Sequence, residues 1–171
     1  KAMEPPPAVG GRDILVEHCM VWNDKVRALG IAGESRGEIY NIIFRRCTVL
    51  HSLADWAAEV GALCVVLCDA GTVHDIVFEQ IDVLDERANG INCMLFRDRW
   101  STDTQAGHIR AICFRDISLP KNVSVRLWGY DAAHRVEDIL LQNVHMEEAE
   151  APWLDSNVYT SEIQVRGTRN E

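Results

Sequence analysis

The chain has 171 residues, of which 47% are hydrophobic and 25% are charged, and it carries a formal net charge of −9. This composition is too apolar for a disordered chain and is sufficient for one domain with a core. The acidic balance excludes a broad phosphate-binding surface, so nucleic acid is not expected as a partner. The longest apolar run, residues 62–68, is far shorter than the roughly 20 residues that cross a bilayer, so no membrane partner is expected.

Residues 1–11 begin with Lys1 and contain the Pro- and Gly-rich stretch AMEPPPAVGG. Such a stretch is typical of a linker or a cloning remnant. It predicts that the domain starts at residue 12 and that the chain is a C-terminal piece of a longer protein. The compartment, secreted or cytoplasmic, stays open.

From residue 12 onward, one strand-like phrase recurs five times. It consists of a polar or small residue, Ile, an apolar residue two positions on, Cys, Ile or Val three positions further, and a closing apolar residue. Its period-two alternation predicts a β-strand. The phrase stands at RDILVEHCMV (12–21), YNIIFRRCTV (40–49), HDIVFEQIDV (74–83), RAICFRDISL (110–119) and EDILLQNVHM (137–146). The shared Ile positions are 28, 34, 36 and 27 residues apart, which indicates structural turns with loops of variable length.

A second apolar stretch follows each phrase. These stretches cover residues 28–34, 62–69, 91–98, 125–131 and 161–167. Two strands in about 30 residues, without an amphipathic helix between them, favour a parallel β-helix of about five coils over residues 12–171. A leucine-rich repeat requires an Asn ladder and a helix, a propeller blade requires four strands, and a β-sandwich predicts no recurring phrase.

Equivalent residues of neighbouring coils are expected to stack in the core of such a fold. One shared position holds Cys19, Cys47, Ile81, Ile117 and Val144. Another holds Val16, Phe44, Phe78, Phe114 and Leu141. We therefore expect Cys19 and Cys47 in an aliphatic ladder rather than in a disulfide, and we expect an aromatic stack beside it. None of the six cysteines forms a C-x-x-C pair, so zinc is not expected.

Four of the second stretches end in an acidic residue: Glu34, Asp69, Asp98 and Asp131. Stacked at the strand spacing of about 4.8 Å, they predict a column of carboxylates on one face. Separations of one or two coils match the about 5–5.5 Å and 6.5–9.5 Å between the carboxyl groups of glycosidases. The alternatives are solvated acids at turns and a calcium site made of the same oxygens.

Aromatic and arginine side chains accompany these stretches. They are Trp22, Arg27, Arg97, Arg99, Trp100, Arg126, Trp128 and Tyr130. A flat ring stacks on a sugar and Arg forks onto a carboxylate, so the combination favours neutral or acidic sugars as ligands. Packing within the coil wall is the alternative for each Trp.

The six histidines are scattered along the chain. His74 and His108 precede repeat strands and are expected as turn residues. His51 and Asp55 lie in a long loop of the second coil and form one further candidate pair. Trp153, in the stretch EEAEAPWLDS, is expected to cover the C-terminal end of the coil stack.

The phrase pair DILVEHCMVW…ALGIAGESRGEIYNIIFRRCTV resembles the repeats of polygalacturonase-like glycoside hydrolases in the pectin-lyase-like superfamily. The resemblance is close from residue 13 to 49, and the coil pattern continues to about residue 167. It implies a right-handed parallel β-helix that hydrolyses polysaccharide with Asp residues. Asp24 lies where an Asp pair of the family would fall, and His51 lies near the position of its His. The family motifs N-x-D, D-D, G-H-G and R-I-K do not occur in this sequence.

Two functions fit these observations. The first is a carbohydrate-active part of a polysaccharide-degrading glycoside hydrolase, without cofactor or metal, whose isolated chain is expected to be inactive. Its acid/base candidates are Asp24, Glu34, Asp69 and Asp98, and its sugar-binding candidates are Arg27, Trp100, Arg126, Trp128, Tyr130 and Asp131. The second is a non-catalytic β-helix module for glycan or protein, or a structural fragment that associates end to end through an exposed coil.

Overall fold

The secondary structure agrees with the period-two sequence pattern. The computed structural model describes residues 9–31, 33–53, 60–121, 123–146, 152–167 and 169–170. Every regular element in these ranges is a β-strand, which confirms the prediction of an all-β chain. The same ranges contain no helix long and apolar enough to cross a membrane.

The strands form two parallel sheets. In chain order the strands are β1 (Val9–Glu17), β2 (Met20–Asn23), β3 (Leu29–Ile31), β4 (Glu38–Ser52), β5 (Leu63–Leu67), β6 (Thr72–Val83), β7 (Ile91–Leu95), β8 (His108–Leu119), β9 (Val125–Trp128), β10 (Val136–Met146), β11 (Leu154–Ser156), β12 (Thr160–Arg166) and β13 (Arg169–Asn170). The large sheet has the order β1-β4-β6-β8-β10-β12, with β2 beside β4 and β13 beside β10. The small sheet has the order β11-β9-β7-β5-β3. Because the chain alternates between stacked parallel sheets, the architecture is consistent with a parallel β-helix or a related solenoid.

The strands of the large sheet bend at two recurring residues with a left-handed backbone. The first corner column consists of Asp13, Asn41, Asp75, Ala111, Asp138 and Glu162, and the second consists of His18, Arg46, Gln80, Asp116, Asn143 and Gly167. The non-glycine members have φ between 51° and 56°, a region in which Asp and Asn are enriched. The polar positions of the repeat phrase are therefore corners that divide the large sheet into three faces.

Side chains within the corner columns connect neighbouring coils. Asn41 Nδ2 donates to Asp13 Oδ1 at 2.6 Å, and Asn143 Nδ2 donates to Asp116 Oδ1 at 2.8 Å. Gly167 has φ of 62°, and a Cβ at this position would collide with the Asn143 amide oxygen. Glycine ends the second column because it fits both the backbone conformation and the space beside Asn143.

The repeat phrase forms the core ladders as predicted. Ile42, Ile76 and Ile112 are paired in register and buried. The ring centroids of Phe44 and Phe78 are 4.8 Å apart, and those of Phe78 and Phe114 are also 4.8 Å apart, which confirms the aromatic stack. All six cysteines are free thiols.

The last predicted second stretch, residues 161–167, lies in a different sheet from the one expected. It forms most of β12, whose Ile163 pairs with Ile139 in the large sheet, while β11 takes the place in the small sheet. The prediction was wrong because Glu162, Ile163 and Val165 repeat the polar-Ile-x-apolar start of the first phrase. Trp153, just before β11, packs against the core.

We expect Phe78→Ala to lower the free energy of unfolding by about 3–5 kcal/mol, because it removes a fully buried ring from the middle of the aromatic stack. Urea denaturation measures this change. The control is Leu84→Ala, one residue beyond the same strand, where the side chain is 58% exposed and the change should stay within about 0.5 kcal/mol. Equal losses in the two variants would contradict the core assignment.

Candidate functional site

The predicted column of acids is used largely to shape loops. Asp69 is fully buried, and its Oδ1 accepts hydrogen bonds from the backbone N–H groups of Thr102 at 2.5 Å and Asp103 at 2.7 Å. Asp98 is exposed and accepts from the backbone N–H of Trp100 at 2.7 Å. Both carboxylates therefore fix the loop that follows β7.

Three of the predicted acids nevertheless act on the pKa of one thiol, that of Cys68. Burial raises the pKa of the Cys68 thiol to about 11, against a hydrogen bond to Ser101. The charges of Asp69, Asp98 and Glu34 add to this rise in the pKa of Cys68. Cys68 is therefore a neutral thiol near pH 7, and this group offers an incoming ligand no reactive thiolate.

Asp131 caps its own turn. Its Oδ1 accepts from the backbone N–H groups of Ala133 at 2.9 Å and His134 at 2.8 Å, and from the His134 ring. Burial raises the pKa of Asp131, but the hydrogen bonds from His134 and Ala133 outweigh burial and hold this pKa below its ordinary value. Asp131 is an ionised turn residue, as the alternative interpretation of the acids predicts.

Two predicted sugar-binding residues form one unit with a residue that the sequence did not single out. Arg126 Nε donates to Asp155 Oδ2 at 3.1 Å, and Trp128 Nε1 donates to Asp155 Oδ1 at 3.1 Å. The guanidinium carbon of Arg126 lies 5.0 Å from the centre of the Trp128 ring. We call Arg126, Trp128 and Asp155 the Trp128 platform. Tyr130, which is exposed, follows two residues after Trp128.

The remaining predicted sugar-binding residues lie apart from this platform. Trp100 is exposed, with the guanidinium carbon of Arg99 at 4.8 Å from its ring centre. Arg27 lies beside the Cys64 thiol, whose pKa is raised by burial and lowered in part by Arg27. The Arg27 Nε atom is buried and has no hydrogen-bond partner among the described residues.

The densest polar arrangement surrounds His51, which is the second-last residue of β4 and does not lie in the predicted loop. We call Trp22, Asp24, His51, Asp85 and Arg87 the His51 cluster. His51 Nδ1 lies 2.5 Å from Asp85 Oδ2, and its Nε2 lies 3.1 Å from Asp24 Oδ1. The side chains of His51 and Asp85 are 5% and 6% exposed, whereas that of Asp24 is 68% exposed. The imidazole therefore joins a buried carboxylate to one that solvent reaches.

Asp85 is held as an anion by several donors. Its carboxylate accepts from the backbone N–H groups of Ser52 at 3.1 Å and Arg87 at 3.1 Å, and from Arg87 Nε at 3.0 Å. Burial raises the pKa of Asp85, but the hydrogen bonds and charge of Arg87 and the bond from Ser52 outweigh burial and lower this pKa to about 2. Asp85 is thus a fixed negative charge beneath His51.

The surroundings of His51 accommodate both protonation states of Nδ1. A protonated Nδ1 donates to Asp85, and an unprotonated Nδ1 accepts from Arg87 Nη2 at 2.8 Å. Nε2 donates to Asp24 in the state that carries its proton. Each ring nitrogen of His51 therefore has a polar partner in either tautomer.

An exposed aromatic ring covers this arrangement. The Trp22 ring centre lies 4.7 Å from that of His51, Trp22 is 67% exposed, and its Nε1 donates to Asp24 Oδ1 at 2.9 Å. The predicted partner Asp55 lies outside the described residues. Asp85 takes its place as the buried acid. Asp85 lies 34 residues after His51, the same spacing as between Ile42 and Ile76 of the repeat phrase, so it comes from the next coil.

The other histidines were only partly placed by the sequence. His74 lies within β6 rather than in a turn, because Asp75 is the corner residue of that strand. Its ring is stacked on Tyr40 at 5.1 Å, and its nitrogens contact Asp75 at 2.6 Å and Glu38 at 3.1 Å. His108 is the first residue of β8. His74 thus belongs to a ladder of paired side chains on the outer wall.

Comparisons with known proteins give no relative for this chain. It matches no protein family model, no curated protein and no solved structure. The function is therefore argued from the geometry of the His51 cluster and the Trp128 platform.

We expect Asp85→Asn to flatten the dependence of stability on acid pH. The pKa of Asp85 is about 2 in the folded chain, against an ordinary value of 3.8, so its ionised form stabilises the fold above pH 3.8. This contribution is lost as the pH falls from 3.8 towards 2. Urea denaturation at a series of pH values measures the loss.

The control for this experiment is Asp82→Asn, because Asp82 is an exposed residue of β6, which ends at Val83, two residues before Asp85. It should lose stability on acidification as the wild type does. The same acid sensitivity in Asp85→Asn and in the wild type would contradict the role of Asp85 as a buried anion.

Proposed function

We propose that the chain is a carbohydrate-active domain, a right-handed parallel β-helix of about five coils related to the polygalacturonase-like glycoside hydrolases, and that it binds a polysaccharide or oligosaccharide. One observation carries this proposal. The exposed Trp22 ring lies over the buried His51, and its N–H donates to the same oxygen of the exposed Asp24 that His51 Nε2 contacts. An aromatic face beside a fixed carboxylate is suited to a pyranose ring with hydroxyl groups on its edge.

The bonds to Asp24 orient both elements of this sugar site. The indole N–H of Trp22 holds the ring by its edge, so the ring face is presented to solvent. Because Trp22 and His51 both contact Oδ1, the second oxygen of Asp24 is the one that accepts a sugar hydroxyl. Affinity for a ligand gains from such a pre-organised arrangement, since little side-chain freedom is lost on binding.

The Trp128 platform supports binding of a sugar at a second place. Asp155 holds Arg126 and Trp128 side by side on neighbouring positions of the small sheet. The guanidinium of Arg126 supplies the positive charge that an acidic sugar requires. The ligand class is therefore neutral sugar at Trp22 and neutral or acidic sugar at Trp128.

The geometry favours binding over hydrolysis by this chain alone. Glycosidases act with two carboxyl groups that both reach the glycosidic bond or its water. In the His51 cluster, Asp85 is buried and occupied by Arg87 and Ser52, which leaves Asp24 as the accessible carboxylate of the cluster. A hydrolase that contains this domain would need a second carboxyl group from outside the His51 cluster.

A second function is supported by a different observation. In this function the chain associates end to end or forms part of a larger β-helix. β1 stands at the end of the large sheet, and the first coil exposes apolar side chains. Ile14 is 41% exposed, Leu15 is 49% exposed and Met20 is 78% exposed. An edge strand of this kind is a template for pairing with another strand.

We expect Trp22→Ala to weaken oligosaccharide binding by about tenfold or more, because the stacking surface is lost. A glycan array identifies the ligand, and isothermal titration calorimetry measures its affinity. Trp128→Ala tests the second platform in the same way, and Leu84→Ala is the control for an exposed apolar residue outside both sites. Affinity that both Trp variants retain would contradict the proposal.

We expect the isolated chain to release no reducing ends from polygalacturonate or from a glycan that it binds. The physical reason is that Asp24 is the accessible carboxylate of the His51 cluster, whereas Asp85 is buried. A reducing-sugar assay over a range of pH values measures release. Turnover by the wild type that Asp24→Asn abolishes would overturn this expectation and would make the cluster a complete catalytic site.

A further inference from the structure

One outer face of the coil stack is free of loops. The two corner columns are five residues apart in every coil, at 13 and 18, 41 and 46, 75 and 80, 111 and 116, 138 and 143, and 162 and 167. We call the segments between them, residues 14–17, 42–45, 76–79, 112–115, 139–142 and 163–166, the middle face. Since these segments all have the same length, the length differences between coils lie elsewhere and the middle face is an even surface.

The outward side chains of the middle face form two straight rows. The apolar row consists of Leu15, Ile43, Val77, Cys113 and Leu140 and ends at Gln164. The charged row consists of Glu17, Arg45, Glu79, Arg115, Gln142 and Arg166. Six strands about 4.8 Å apart make each row about 24 Å long. Such a row of partly exposed apolar side chains on an even sheet face is a candidate interaction surface.

We propose that the middle face binds a second copy of this chain, packed antiparallel about a two-fold axis that runs along the strands between β6 and β8. Such an axis places each row opposite itself in reverse order. In the charged row, Glu17 then faces Arg166 of the second copy. Arg45 faces Gln142, and Glu79 faces Arg115.

The order of charges along the row selects this arrangement. Within the charged row, the antiparallel arrangement brings together opposite charges or a charge and an amide and creates no like-charged pair. A two-fold axis along the coil stack, midway between the two rows, would instead place the charged row opposite the apolar row. That arrangement sets Glu17 against Leu15 and Glu79 against Val77, and burying charged side chains against aliphatic ones is unfavourable.

The apolar row supplies the attraction in the same arrangement. Ile43 faces Leu140 of the second copy, and Val77 faces Cys113. These side chains are half-buried within one chain, and a second copy would remove the rest of their surface from water. Because the row is narrow, the interface belongs to the small class, and we expect a dimer that dissociates at micromolar concentrations.

The oligomeric state tests the proposal directly. Sedimentation velocity of the full chain from low to high micromolar concentration should show a monomer–dimer equilibrium. Val77→Lys, at the centre of the face, should raise the dissociation constant by about tenfold or more, while Leu84→Lys, on another face, should leave it unchanged. Circular dichroism and thermal unfolding check that both variants fold. A wild type that is monomeric throughout would overturn the proposal.

The orientation is tested by cross-linking. In a Cys113→Val background, Ile43→Cys combined with Leu140→Cys should form covalent dimers with a short bismaleimide, because these positions face each other. Ile43→Cys alone should not. Dimers from the single variant would overturn the antiparallel arrangement. Association that Ile14→Lys abolishes and Val77→Lys leaves intact would show end-to-end pairing and would also overturn the proposal, whatever the outcome of the glycan experiments.

Discussion

The register between neighbouring parallel strands is the constraint on which the other features depend. Backbone hydrogen bonds set each residue beside its counterpart in the next coil, so a side chain must fit its own position and the same position above and below. Phe78 lies between two other Phe rings in the interior. On the outside, Glu79 pairs with Arg115 and Glu17 pairs with Arg45. Each column therefore contains residue types that pack or pair with one another.

The corners show what the register costs. A left-handed backbone is unfavourable by roughly 1–2 kcal/mol for most residues, and each coil of the large sheet adopts it twice. Asp and Asn reduce this cost. Pairs such as Asn41 and Asp13 also offset it, because they form hydrogen bonds between neighbouring coils. The fixed five-residue spacing of the corners leaves the other segments of the coil to vary in length. The His51 cluster lies at the edge of such a variable segment, whereas the middle face does not.

The sequence predicted the fold well where residues contact their own repeats. The columns that contain Ile76 and Phe78 could be predicted from the repeat phrase alone. Strand register places equivalent residues of neighbouring coils side by side, so the same contacts recur in each coil. The positions of the acids at the strand ends could not be predicted in this way. The loops there differ in length between coils, so equivalent residues are not held side by side. Asp69 turns inward to bind the backbone of residues 102 and 103. For the same reason the link between His51 and Asp85 could not be predicted, although Asp24 and His51 were each singled out.

The exposure of Trp22 and Asp24 argues for a function of the His51 cluster beyond stability. The hydrogen bonds of Asp85 to Ser52 and Arg87 account for stability, and they need neither Trp22 nor Asp24. A purely structural bridge between coils would also bury its outer partners. Here the inner half of the cluster is closed by Ser52 and Arg87, whereas the outer half presents an oriented carboxylate and a ring face to solvent. Pre-organisation inside combined with exposure outside is the arrangement that ligand binding requires.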